Sequence, residues 1–147
     1  MKKKAIFGLI VIVILLLIIT PKMMSATSKT SFCIKCHVME KQFFELTRGA
    51  VHSGLDCVSC HLPHDNKAYH FYFKTHSGIK DVIVFYLGQV PEDIRATQKT
   101  KEVIELNCRR CHGEVVANVG KDEKWHCWDC HRNIAHRTNG ITLNLNK

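Results

Sequence analysis

No cysteine in this 147-residue chain stands outside one repeated pattern. All eight fall into Cys33-Ile-Lys-Cys36-His37, Cys57-Val-Ser-Cys60-His61, Cys108-Arg-Arg-Cys111-His112 and Cys127-Trp-Asp-Cys130-His131. With none left over, a separate disulfide framework has nothing to build on. Long apolar runs are almost as scarce. One spans Ala5 to Ile19, and no second run is long and apolar enough for a membrane-crossing helix. Acidic residues are few, 13 against 21 Lys and Arg, for a formal net charge of +8. Such a balance ordinarily points to nucleic acid or an anionic membrane surface. The basic residues are scattered rather than striped, however, which argues against a nucleic-acid partner.

What is there is C-x-x-C-H, four times. This is the attachment sequence of c-type haem: two thiols form thioethers to the vinyl groups, and the adjoining His is placed to bind iron. Zinc can be held by paired C-x-x-C units, but zinc does not require a His after every second Cys. Disulfides leave that His equally unexplained. Four haems covalently held by Cys33, Cys36, Cys57, Cys60, Cys108, Cys111, Cys127 and Cys130 are therefore expected. Their propionates add about eight negative charges, which removes the meaning of the +8.

Length allows one small domain and an anchor. Lys2, Lys3 and Lys4 precede the apolar run, and Met24-Ser25-Ala26 follows it. A retained signal-anchor over residues 1–26 is favoured over a cleaved signal, because Met24 is large where a small residue is preferred. The lysines place the N-terminus inside. Residues 27–147 would then form a haem domain on the outer, periplasmic face of the cytoplasmic membrane. The expected fold is mainly α and irregular: one transmembrane helix, then short helices and loops around porphyrins that fill much of the core. Met39 to Gly49 is expected to be helical, as is Lys74 to Gln98, broken near Pro91. Val82 to Tyr86 reads equally as strand.

Four irons have up to eight axial positions. Of ten histidines, four come with the motifs. The other six are His52, His64, His70, His76, His126 and His136. His52 lies shortly before Cys57 and His136 shortly after His131, each placed to cap a haem elsewhere in the stack. His126 adjoins an attached Cys, and His64, His70 and His76 stay open. Met39 follows His37 by two residues, so it can only compete with His37 for the same face of the first haem; ordinary packing is the alternative. The aromatic group Tyr69, Phe71, Tyr72 and Phe73 fits a membrane-interface belt or packing against haem about equally well.

An N-terminal anchor, four C-x-x-C-H motifs in two pairs and the Cys36-His37-Val38-Met39 run together resemble the NapC/NirT family of quinol dehydrogenases. Few residues follow His136, which resembles the family's shorter branch, the membrane subunits of ammonia-forming cytochrome c nitrite reductase. The resemblance implies oxidation of menaquinol and delivery of electrons to a multihaem nitrite reductase in anaerobic respiration. It implies Met39 as ligand of the first haem, His61, His112 and His131 as motif ligands of the others, and His136 and His52 as distal ligands of the second and fourth. The third haem would take a Lys from the partner. Lys74 and Asp81 stand at the seven-residue spacing of the family's quinol pocket. That spacing is about two helical turns and puts both side chains on one face. Quinol oxidation needs titratable groups there to take protons. A soluble tetrahaem carrier, or a donor to another periplasmic reductase, is the alternative.

Overall fold

The computed structural model describes residues 2–48, 51–118, 126–131 and 134–136. Among these, no strand occurs. The first element, α1 (Lys2–Ala26), is 25 residues long; its most apolar 18-residue stretch has a mean hydropathy of 2.7, and none of that stretch is buried. At 1.5 Å per residue it extends roughly 37 Å, enough to cross a hydrocarbon core of about 30 Å. Pro21 sits inside it. Beyond its end, Thr27 Oγ1 and Ser28 Oγ donate to the carbonyls of Met23 and Met24 at 2.7 and 2.6 Å, satisfying terminal acceptors that the helix itself cannot.

Short helices then carry or follow the attachment motifs. These are α2 (Thr30–Cys33), a 3-10 turn over His37–Met39, α3 (Glu40–Thr47), α4 (Cys57–His61) and α7 (Cys127–Cys130); the third motif instead ends the longer α6 (Gln98–His112). The helix expected from Met39 is thus present, although Gly49 lies outside the described residues. The expected Lys74–Gln98 helix is displaced. It is α5 (Lys67–Tyr86), begun by Asn66, whose side chain accepts from Ala68 N and Tyr69 N. It stops at Gly88, whose φ of 66° suits a residue without Cβ, before Pro91 is reached. Val82 to Tyr86 is helix, not strand.

Side chains supply only a small apolar core among the described residues. Leu62, Phe73 and Val103 form its centre, with Val58 and Tyr69 packed alongside. Among the described residues, Leu46 is the one other buried hydrophobic besides the fully buried Pro63. So little buried apolar surface does not offset the conformational entropy of a domain this size. A further apolar filler is required, as porphyrin would be. The aromatic group divides: Phe73 is buried and Tyr69 packs on it, while Phe71 and Tyr72 face outward.

Candidate functional site: four haem-attachment motifs

The four motifs are neighbours in space, in chain order. Cys33 hydrogen-bonds Cys57, joining the first motif to the second. Cys60 lies within electrostatic reach of Cys108 and Cys111, joining second to third. Cys108 hydrogen-bonds Cys127, joining third to fourth. None of the eight is in a disulfide. Among the described residues no three His, Cys, Asp or Glu side chains converge as a metal cluster, so the four-ligand geometry of zinc is not assembled.

The imidazoles fit haem iron. The rings of His61 and His136 face each other with centroids 6.2 Å apart. An iron between them needs about 2 Å to each nitrogen and about 1 Å more to each ring centre, or about 6 Å in all. Burial, reinforced by His136, pushes His61 down to about 4, which keeps it neutral, the form that ligates. His136 Nδ1 is buried with no hydrogen-bond partner. His52 meets His112 of the third motif at 6.0 Å, ring planes at 88°, so it lies beside the third attachment site. His131 is exposed at the end of α7.

The remaining histidines have protein partners. His64 Nε2 and His70 Nδ1 contact the carbonyls of Val58 and Pro63 at 3.1 and 2.6 Å. His76 stacks on Tyr72 and His126 on Trp128. His126 also caps α7.

Around the first motif, α5 is the second wall. The ring of His37 packs edge-on against Phe85 at 5.7 Å; Phe85 is one turn beyond Asp81. His37 is thereby held toward α5, while Met39, half-buried, closes the 3-10 turn with its N–H on the Cys36 carbonyl at 2.9 Å. Lys74 and Asp81 share one face of α5. Lys74 donates to the Met24 carbonyl and Ser28 Oγ at 2.5 and 2.6 Å, at the end of α1. Burial lowers the Lys74 ammonium, against an opposing pull from Cys33. Burial also raises Asp81, with Lys80 opposing. Both shifts favour the uncharged form of each group.

The NapC/NirT cytochrome c family, N-terminal region, matches residues 2–141. The chain belongs to this family. It is 36% identical over 114 residues to the cytochrome c nitrite reductase subunit NrfH of Nitratidesulfovibrio vulgaris, covering 77% of this chain and 70% of that one. It is 24% identical over 123 residues to the cytochrome c-type protein NrfH of Wolinella succinogenes, covering 75% and 70%. Its fold matches a chain in the crystal structure of a cytochrome c nitrite reductase NrfHA complex bound to the inhibitor HQNO. That match has a TM-score of 0.74 and 31% identity, over 92% of this chain and 93% of the other. Membership of a cytochrome c family implies covalent haem c, and α1 supplies a membrane anchor.

Three residues that bridge the motifs escaped the sequence reading. Asp56 Oδ1 accepts from Thr30 N and Oγ1 at 2.9 and 2.8 Å. Asn107 Nδ2 donates to the carbonyls of Cys60 and Leu62 at 2.9 and 2.8 Å. Glu105 accepts from Cys127 N at 2.9 Å. Asp56 and Asn107 directly precede Cys57 and Cys108, a placement that was visible; their partners were not.

Proposed function

We propose that this chain is a menaquinol dehydrogenase of the cytoplasmic membrane, held by α1 with its N-terminus inside and its haem domain in the periplasm. The observation that carries this reading is α5, whose Lys74 is bonded to the end of α1 and whose Phe85 packs on His37 of the first motif. A lipid-borne substrate leaving the bilayer at the end of α1 meets Lys74 and Asp81 beside the first attachment site.

Menaquinol gives up two electrons and two protons. Lys74 would position a quinol hydroxyl by hydrogen bonding, and Asp81, with its raised affinity for protons, would take the two protons in turn and pass each to the periplasmic solvent. When bound, the four haems supply a row of one-electron iron centres that lead away from the quinol. Cys33, Cys36, Cys57, Cys60, Cys108, Cys111, Cys127 and Cys130 hold them. Met39 would serve the first, as the resemblance implies; a thioether there raises the potential relative to imidazole. His61 and His136 serve the second. His112 and His131 would serve the third and fourth; the resemblance gives His52 to the fourth and a Lys of the partner to the third, whereas His52 stands 6.0 Å from His112, nearest the third site.

The acceptor is the catalytic subunit of an ammonia-forming cytochrome c nitrite reductase, an assignment supported by the NrfH relatives and by the NrfHA complex. Purification of the native complex from detergent-solubilised membranes tests it. The expected result is a multihaem nitrite reductase bound to this chain and reduced by a menaquinol analogue. Release of the chain without detergent, as a soluble carrier, contradicts it.

A further inference from the structure

We infer that Asn107 is a positioning residue for electron transfer, fixing the second haem site against the third. The inference rests on the tetrahaem reading above. The first pair of motifs and the last pair are separated in sequence by Leu62 to Asn107, so the passage between second and third sites is the one junction that no short chain segment sets. Electron tunnelling falls exponentially with the distance between cofactor edges, and this junction must hold its spacing.

Asn107 is suited to that task. It is buried, 6% exposed, in the α6 turn that begins the third motif. Its amide group donates both protons across the junction, to the carbonyl of Cys60 inside the second motif and to that of Leu62 just after it. Its Oδ1 accepts from Arg110 Nε at 3.3 Å, and Arg110 Nη2 reaches the Ser59 carbonyl at 3.4 Å. The side chain's hydrogen-bonding capacity is thus largely directed at residues 59–62. Beside it, Val103 and Leu62 form the small apolar core between the same two elements.

A plainer role is that of a cap for the terminal carbonyls of α4. That role predicts lost stability with unchanged haem properties. Positioning predicts more: a change in the properties of the second and third haems specifically. Asn107→Leu keeps the approximate volume and removes both donors, leaving two buried carbonyls unpaired. Asn107→Gln restores an amide on a longer stem. Arg110→Lys, at an exposed position, keeps the charge and removes the Nε donor to Oδ1.

The holoprotein in detergent is studied in three measurements. Intact mass gives the haem count; fewer than four in the unmodified chain defeats the tetrahaem reading rather than this one. Redox titration followed by electron paramagnetic resonance then gives the potentials, and paramagnetically shifted nuclear magnetic resonance gives the haem methyl signals. In Asn107→Leu the expected result is a shift of the second and third haems in both measurements, with the first and fourth as in the parent and partial return in Asn107→Gln. Parent-like potentials and methyl signals in Asn107→Leu overturn the inference. If Asn107→Leu does not accumulate, Arg110→Lys decides, because it keeps the charge and removes the Nε donor to Oδ1: a smaller shift of the same two haems supports positioning, and parent-like values overturn it.

Discussion

The ammonium of Lys74 lies 2.5 Å from the carbonyl oxygen of Met24, fifty residues earlier, in the last turn of the membrane helix. The carbonyls of the last turn and the negative end of the helix dipole gather there, so a cation is favoured. One residue thus ties the anchor to α5 and lies at the level where quinol would leave the bilayer. The structural and catalytic roles of Lys74 are separable by experiment.

Replacing Asp81 with Asn removes the proposed proton acceptor and leaves the fold's hydrogen bonds as described. Menaquinol-analogue oxidation should slow by at least about 10²-fold, while dithionite reduction and the haem count stay at parent values. Lys74→Leu should slow quinol oxidation likewise and also cost roughly 1 kcal/mol of stability through the lost contacts to α1. Lys74→Arg should recover the stability more fully than the rate. Stopped-flow reduction and thermal unfolding measure the two effects, and parent rates in both Asp81→Asn and Lys74→Leu exclude the proposed pocket.

His136→Ala should convert one low-spin haem to high-spin, because the partner of His61 is removed. His52→Ala should do the same to a different haem. Electron paramagnetic resonance of the oxidised protein reads both, and the haem affected in the second variant identifies which site His52 serves. Unchanged spectra in both return these side chains to packing roles.

Met39→Ala should shift the spectrum of one haem only, and lower its potential if the vacant position is taken by His37. Optical redox titration follows it. A parent-like titration places Met39 among packing residues.

Glu105 gives a pH dependence. Burial works to raise its carboxyl, but the Cys127 N–H and thiol and the Arg109 guanidinium outweigh it and hold the carboxyl below the ordinary value. In the mature protein a thioether no longer donates, leaving the N–H and Arg109. A depressed folded value stabilises above the ordinary glutamate range, about pH 4.3, and that stabilisation fades as pH falls through the folded value. Glu105→Gln should therefore unfold more easily than the parent at pH 7, by about 1 kcal/mol, and converge with it in acid. Thermal unfolding followed at several pH values checks this; a constant difference between the two proteins contradicts it.

The helical class and the apolar N-terminal helix were legible because they rest on local patterns, a single long apolar run and fixed-spacing motifs. The seven-residue spacing of Lys74 and Asp81 likewise survives as one face of one helix. That helix starts earlier than Lys74 because Asn66 caps it, and it ends before Pro91 because Gly88 takes a positive φ. Val82 to Tyr86 is ambiguous by composition, since β-branched and aromatic residues suit strands, and only continuity with α5 makes it helix. The bridges made by Asp56, Asn107 and Glu105 span 26, 45 to 47, and 22 residues. No periodicity signals such contacts. The sequence reading also had no means of seeing His52 beside His112, which only the folded chain brings together.

Intact-mass spectrometry of the mature, membrane-extracted chain tests the central claim most directly. Four haem additions on a chain that still carries α1 are expected. Fewer than four haems, bound zinc, or a mature N-terminus near Thr27 would contradict an anchored tetrahaem quinol dehydrogenase.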